Sequence, residues 1–287
     1  MVITPENATR LSPVFKGKRG KLLLKLGLKL TGIDHVNEIH QWVEDQGIAP
    51  GPAFATALLE GLGVDFRIGH PERLEALPEG PFIVIANHIY GHLDGICLVD
   101  LLGHQRPGTK VMVNEMLMWI WGLAPNFISV NPVTNASSGT TATSINGVKN
   151  ALLQLRSGEP LAIFPSGAVA DVKPREGWTL SERDWQDAAI RLIRKAHVPI
   201  VPVRFFDRNS RFYYALGLLD YRIRFVRLFH ELFNKKGTHP RVGIGETIST
   251  AQQDAVSDAD FKAFLRSSVY DMPLPESFTL RSELWKK

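Results

Sequence analysis

The sequence predicts an α/β fold: a mixed, largely parallel sheet flanked by helices, with a helical N-terminal extension. Two observations carry this expectation. From Val64 onward, short apolar runs alternate with segments of helical spacing, the pattern left by strands joined through helical crossovers. The 287 residues, 44% apolar and 22% charged, are also enough to bury a sizeable core and too apolar for wholesale disorder. We place the boundary after residue 60, with 1–60 as the extension and 61–287 as the α/β domain.

In the extension, KLLLKLGLKL spaces Lys21, Lys25 and Lys29 four apart, while Leu22, Leu23, Leu26 and Leu30 share a neighbouring helical face. Such a helix suits a bilayer interface, its leucines among acyl chains and its lysines beside anionic headgroups. An ordinary surface helix packing its leucines on the core has the same pattern. Residues 35–61 read as helical again, broken at 49–52, where two prolines and a glycine force a turn. The strands expected beyond are 81–86, 110–114, 126–130, 161–164, 199–205 and 241–245, with helices over 140–155, 181–197 and 257–270. A polar Ser/Thr stretch leads into the first of those helices, with Ser137 or Ser138 as its N-cap. The run MLMWIWGL (116–123) reads as a core helix.

A lone cysteine, Cys97, cannot form an internal disulfide, and its place on the apolar face of the helix after Asp94 reads as core. The N-terminus lacks the basic-then-apolar pattern of a secretory signal, and no run reaches the length of a spanning helix. The expectation is therefore a peripheral protein at the cytoplasmic face of a membrane. A formal charge of +4 favours anionic partners, and the basic residues concentrate at Arg10, Lys16, Lys18, Arg19, Lys21, Lys25 and Lys29, with no Asp or Glu among them. We expect an anionic membrane surface as a partner and no nucleic acid.

The most informative segment is IVIANHIYGHLDG, in which a buried-looking strand ends in Asn87 and His88 and an acid follows at Asp94. Reactive groups in open α/β sheets tend to lie beyond the carboxyl ends of strands. Imidazole titrates near neutrality, so His88 can accept a hydroxyl proton, and a nearby carboxylate can fix its tautomer. A strand-end histidine can equally be a satisfied polar residue, and Asp94 a helix cap. His92 competes with His88 for the role of base. His88 and His92 have the i, i+4 spacing of zinc ligands, but the glutamate of the zinc-protease motif is missing, so no metal is expected. The segment PSG at 165–167 lacks the G-x-S-x-G elbow of hydrolases, and VGIGE lacks a third glycine and a phosphate-binding lysine.

Four blocks in order decide between these readings: NHIYGHLD (87–94), NFISVNP (126–132), FPSGAVA (164–170) and VPIVPV (198–203). Together, over about residues 60–250, they resemble the glycerolipid and lysophospholipid acyltransferase superfamily, and within it the hemolysin-like branch that includes ornithine-lipid acyltransferases. The features similar to that branch are Asp94-Gly95, SVNP, FFDRNSRFYYA and RVGIGETI. The resemblance implies a lysolipid O-acyltransferase with His88 as general base and Asp94 as its partner. Asn87, Asn131, Phe164, Pro165, Ser166 and Gly167 would bind substrate, with amides near Gly167 at the oxyanion. No cofactor is implied. The acyl thioester of acyl carrier protein or coenzyme A is a co-substrate, and the carrier protein's acidity would suit Arg222, Arg224 and Arg227, which an ordinary solvated face explains as well. Trp119 and Trp121 would suit an acyl tunnel or an interfacial anchor.

Two departures from the superfamily pattern matter. Five residues rather than four separate His88 from Asp94, a longer turn that Gly91 would let close. Relatives acting on phosphate-bearing acceptors carry arginines where this chain has Asn131 and Val169, and a glutamate where it has Ser166. The acceptor expected is therefore a lyso-ornithine lipid or another lyso-aminolipid, unless Lys173, Arg175 or Arg204 supplies the missing charge. The alternatives are a lysophosphatidate acyltransferase or, in another class, a non-catalytic lipid-binding, hemolysin-like membrane protein.

Overall fold

A computed structural model of the chain describes residues 33–130, 142–219 and 221–285. The basic helix expected at 21–30, Asn131, Ser137 and Ser138 lie outside the described residues. Among the described residues, the helices α1 (Ile33–Asp45) and α2 (Pro52–Leu62) lead, on either side of the turn that the prolines require. Pro52 begins α2, and Gly63 closes it in a left-handed cap at φ 67°, where a side chain would be strained.

The strands are β1 (Arg67–Gly69), β2 (Ile83–Ala86), β3 (Lys110–Asn114), β4 (Phe127–Val130), β5 (Leu161–Ile163), β6 (Asp171–Lys173), β7 (Thr179–Ser181), β8 (Ile200–Phe205), β9 (Arg241–Ile244) and β10 (Thr279–Leu280). The helices between and after them are α3 (Glu72–Glu75), α4 (His92–Gly103), α5 (Ala142–Arg156), α6 (Asp187–Ala196), α7 (Arg211–Leu219), α8 (Tyr221–Phe233), α9 (Thr250–Asp254), α10 (Asp258–Tyr270) and α11 (Arg281–Leu284). Eight strands form one sheet in the order β10-β1-β9-β8-β2-β5-β3-β4. The block from β8 to β4 is parallel throughout, β9 joins β8 antiparallel, and β10 joins β1 antiparallel. The expected mixed, largely parallel sheet is thus present, and all six expected strands belong to it.

Every residue of β2 is buried, yet its side chains still divide by parity between two cores. Val84 and Ala86 join Phe54, Leu58, Leu62, Leu98 and Val203 on one face; helices α1 and α2 therefore share the core of the sheet. Ile83 and Ile85 meet Leu155, Ile193, Phe261 and Leu265 of α5, α6 and α10 on the other. Cys97 is buried in the first core, as expected, and burial pushes its thiol pKa up.

Local structure departs from expectation in two places. The run at 116–123 belongs to two 3₁₀ turns, Glu115–Trp119 and Trp121–Asn126, rather than to a core helix, because Pro125 and Gly122 interrupt it and Phe54 packs where a Cβ on Gly122 would sit. The helix expected at 181–197 starts only at Asp187, because 179–181 pairs with 171–173 as the β6–β7 hairpin. That hairpin and the α7–α8 pair enclose a third, smaller core of Tyr213, Tyr214 and Leu228 against Val169, Val172 and Leu180. Among the described residues, no helix is long and apolar enough to cross a membrane.

Candidate active site

Because β8, β2 and β5 run parallel, their carboxyl ends open on one edge of the sheet and their following loops converge there. His88 leaves the central strand of the three. Its Nδ1 lies 2.8 Å from Asp94 Oδ2, and that oxygen also accepts the Tyr90 and Gly91 N–H groups at 2.9 and 3.0 Å. An acceptor so used places the ring proton on Nδ1 and leaves the Nε2 lone pair outward. Asp94 is fully buried while the His88 side chain retains 18% exposure, so of the two only the imidazole is open to solvent. Gly91 makes the longer turn possible: its φ is 86°, and a Cβ there would lie 2.7 Å from Leu228.

The imidazole plane is set from one side by Phe164, stacked at 4.4 Å between ring centroids. The His88 carbonyl accepts the Ala170 N–H at 2.7 Å, which ties the FPSGAVA loop to the base. The His88 N–H donates to Glu182, a buried carboxylate that sequence reasoning missed. Glu182 also accepts the Tyr270 hydroxyl at 2.5 Å and the Trp185 indole N–H at 3.3 Å, while burial raises its pKa. Nothing in local spacing announces this contact, since 94 residues separate its partners. Glu182→Ala is expected to leave three donors without this acceptor, at about 1–3 kcal/mol for the buried Trp185 N–H and less for the partly buried His88 and Tyr270 groups, and to lower the urea midpoint together with turnover. An unchanged midpoint would remove Glu182 from the support of His88.

The remaining expected site residues divide sharply. Asn87, expected to bind substrate, is buried, and its amide exchanges hydrogen bonds with the Phe205 backbone at 2.9 and 2.7 Å, which clasps β2 to β8. Pro165 and Ser166 form the turn after β5, with Ser166 Oγ donating to the Ala168 carbonyl at 3.0 Å. The Gly167 N–H, expected at an oxyanion, is engaged by the Phe164 carbonyl at 3.0 Å, because the turn closes on itself at φ 63°. Asn209, a further residue missed in the sequence, holds the turn after His88 by donating to the Ile89 carbonyl at 3.1 Å.

His92 sits apart from this chemistry. It is buried at the start of α4 with its ring 4.3 Å from that of Phe229, and burial, reinforced by the charge of His88, lowers its pKa to about 3. So weak a base has little drive to take a hydroxyl proton. Since the folded pKa lies below the unfolded one, the unfolded chain binds more protons below about pH 6.5 and stability falls as pH drops toward the folded value. By about pH 5 the loss from this group is about 2 kcal/mol. His92→Gln should flatten the change in urea midpoint between about pH 7 and 5; an unaltered slope would overturn the buried neutral assignment.

Among the described side chains, Arg204, Lys173 and Arg224 all have partners. Arg204 donates to the Tyr270 and Met272 carbonyls, the latter at 2.6 Å, and Lys173 pairs with Glu176 at 3.4 Å. The side chains of Arg175, Arg222 and Trp119 lie outside the described residues. Arg224 is only 12% exposed and pairs with Asp171 at 2.8 Å beside the Ala170 carbonyl, which is not the solvated face its sequence allowed. Trp121 rests against Phe54 and His40 of the helical layer.

A strand-end histidine held by a buried aspartate is a candidate acid–base centre, and comparison with known proteins gives the class of the chain. The sequence model of a family described as Acyltransferase matches residues 29–274, and the chain belongs to that family. It is an acyltransferase. It is similar to the lyso-glycine lipid O-acyltransferase of Phocaeicola vulgatus, 27% identical over 267 residues covering 89% of this chain and 91% of the relative. The protein of the same name from Bacteroides thetaiotaomicron is 27% identical over 253 residues, covering 85% and 88% respectively.

Proposed function

We propose that this enzyme transfers a fatty acyl group from a thioester to the hydroxyl of a lysolipid whose headgroup is an amino acid. The observation that carries the reading is the His88–Asp94 pair at the strand end, in which Nδ1 faces the buried carboxylate and the imidazole keeps 18% exposure. His88 Nε2 takes the proton of the acceptor hydroxyl as the oxygen attacks the thioester carbonyl. Asp94 stabilises the imidazolium, the carbon–sulfur bond breaks, and the leaving thiolate recovers the proton from His88. The acyl group passes directly from sulfur to oxygen.

Two further observations support an acceptor without phosphate. Val169 packs into the apolar cluster of Tyr213, Tyr214 and Leu228, a setting unlike that of a phosphate-binding arginine. Arg204 and Lys173, the described side chains weighed as replacements for the missing charge, bond to carbonyls and to Glu176 respectively. The names of the two relatives favour glycine over ornithine as the amino acid. The test is transfer by purified protein to lyso-glycine lipid, lyso-ornithine lipid and lysophosphatidate, offered side by side with acyl carrier protein and coenzyme A donors. Transfer to none of the three would refute this reading.

A further inference from the structure

The search beyond the catalytic pair leads to α7. Its inner side supplies Tyr213 and Tyr214 to the small core that includes Val169, one residue before the Ala170 N–H that binds His88. Its outer side carries Phe212, Ala215 and Leu219, spaced by three and four residues so that they stack along one helical face. These side chains face solvent: Phe212 is 57% exposed, Leu219 is 77% exposed, and Leu218 beside them is 45% exposed. Single exposed leucines are ordinary, but three large apolar side chains on a nine-residue helix form a patch.

Arginines border the patch. Arg208 and Arg211 are exposed at the start of the helix and the Arg227 guanidinium lies 5.2 Å from the Phe212 ring centroid, while Asp207, the acid before them, is paired with Arg241 and Asp220, after the helix, lies outside the described residues. Apolar side chains projecting from a helix with arginines at their margin are what a bilayer interface accepts: the rings and leucines enter the acyl region and the guanidinium groups meet anionic headgroups. An acidic carrier protein would match the arginines, but it gives no partner to the projecting Phe212, Leu218 and Leu219, which a bilayer does.

We propose that the outer face of α7, namely Phe212, Ala215 and Leu219 with Arg208, Arg211 and Arg227, seats the enzyme on an anionic lipid bilayer next to the His88 end of the sheet. The proposal rests on the lysolipid reading, since a bilayer-held acceptor must be delivered to His88. It assigns that delivery to the catalytic domain itself, one helix layer from the FPSGAVA loop.

The test uses full-length protein and vesicles of phosphatidylcholine with or without phosphatidylglycerol. Wild type should float with the anionic vesicles, and F212S/L219S should lower the partition coefficient by about tenfold or more. Ile145→Ser with Leu153→Ser, which removes two other exposed apolar side chains, on α5, should leave flotation unchanged. Turnover of a short-chain acceptor in free solution should be preserved in F212S/L219S, while turnover of the vesicle-borne acceptor falls with the partition coefficient. Equal flotation of wild type and F212S/L219S, or an equal loss in the α5 variant, would overturn the proposal. Normal flotation with a rise in KM for acyl carrier protein alone would also overturn it and give the face to the carrier. Because flotation requires no turnover, absence of acyl transfer in wild type would count against the lysolipid reading without deciding the surface.

Discussion

His88→Ala is expected to lower kcat by about a hundredfold to ten-thousandfold, the usual cost of removing a general base, while His92→Ala retains most of the activity. Position separates the two. His88 has one nitrogen on a buried carboxylate and the other facing outward, whereas His92 is packed on Phe229 with its pKa near 3. Because substitution at His92 also alters a buried site, the measurement is turnover normalised to folded protein, with the urea midpoint recorded for each variant. Loss of turnover in His92→Ala with retention in His88→Ala would reverse the assignment. Asp94→Asn is a finer probe. It preserves volume but exchanges an acceptor of three hydrogen bonds for a group that accepts on one side and donates on the other, so turnover should fall through misdirection of the imidazole.

The second large effect expected is a ratio of kcat/KM that favours an amino acid headgroup over lysophosphatidate. A charge-assisted hydrogen bond contributes roughly 1.5–3 kcal/mol, so two missing arginines correspond to about two to four orders of magnitude in discrimination. The comparison belongs to kcat/KM because it reports transition-state binding. Arg204→Ala and Lys173→Ala enter the same series. If either abolished a measured preference for lysophosphatidate, that side chain would carry the phosphate charge and the headgroup argument would fail, with His88 still in place. A ratio favouring lysophosphatidate in every variant would likewise refute the amino acid headgroup.

The α/β class and six strands of the sheet were legible because their signals are local: apolar runs of strand length, and helical spacing between them. The elements missed lack such runs. β1 and β10 are three and two residues long and exist by pairing with each other and with β9, far away in the chain. The β6–β7 hairpin displaced an expected helix for the same reason, since Val172 and Leu180 find their apolar partners on α7 and α8.

The site divides along the same line. By itself, the sequence determined that a histidine ends a buried strand, that an acid follows within one turn, and that ordered blocks place the chain among acyltransferases, a membership the family match shows. Only the tertiary structure decided which neighbours hold that histidine. Glu182 reaches its N–H from 94 residues away, the Asn87 amide bonds the backbone of β8, and the Gly167 amide closes its own turn. The physical reason is that a buried polar group takes whichever partner the packed chain brings within hydrogen-bond distance, and in a parallel sheet those partners come from loops that are remote in sequence.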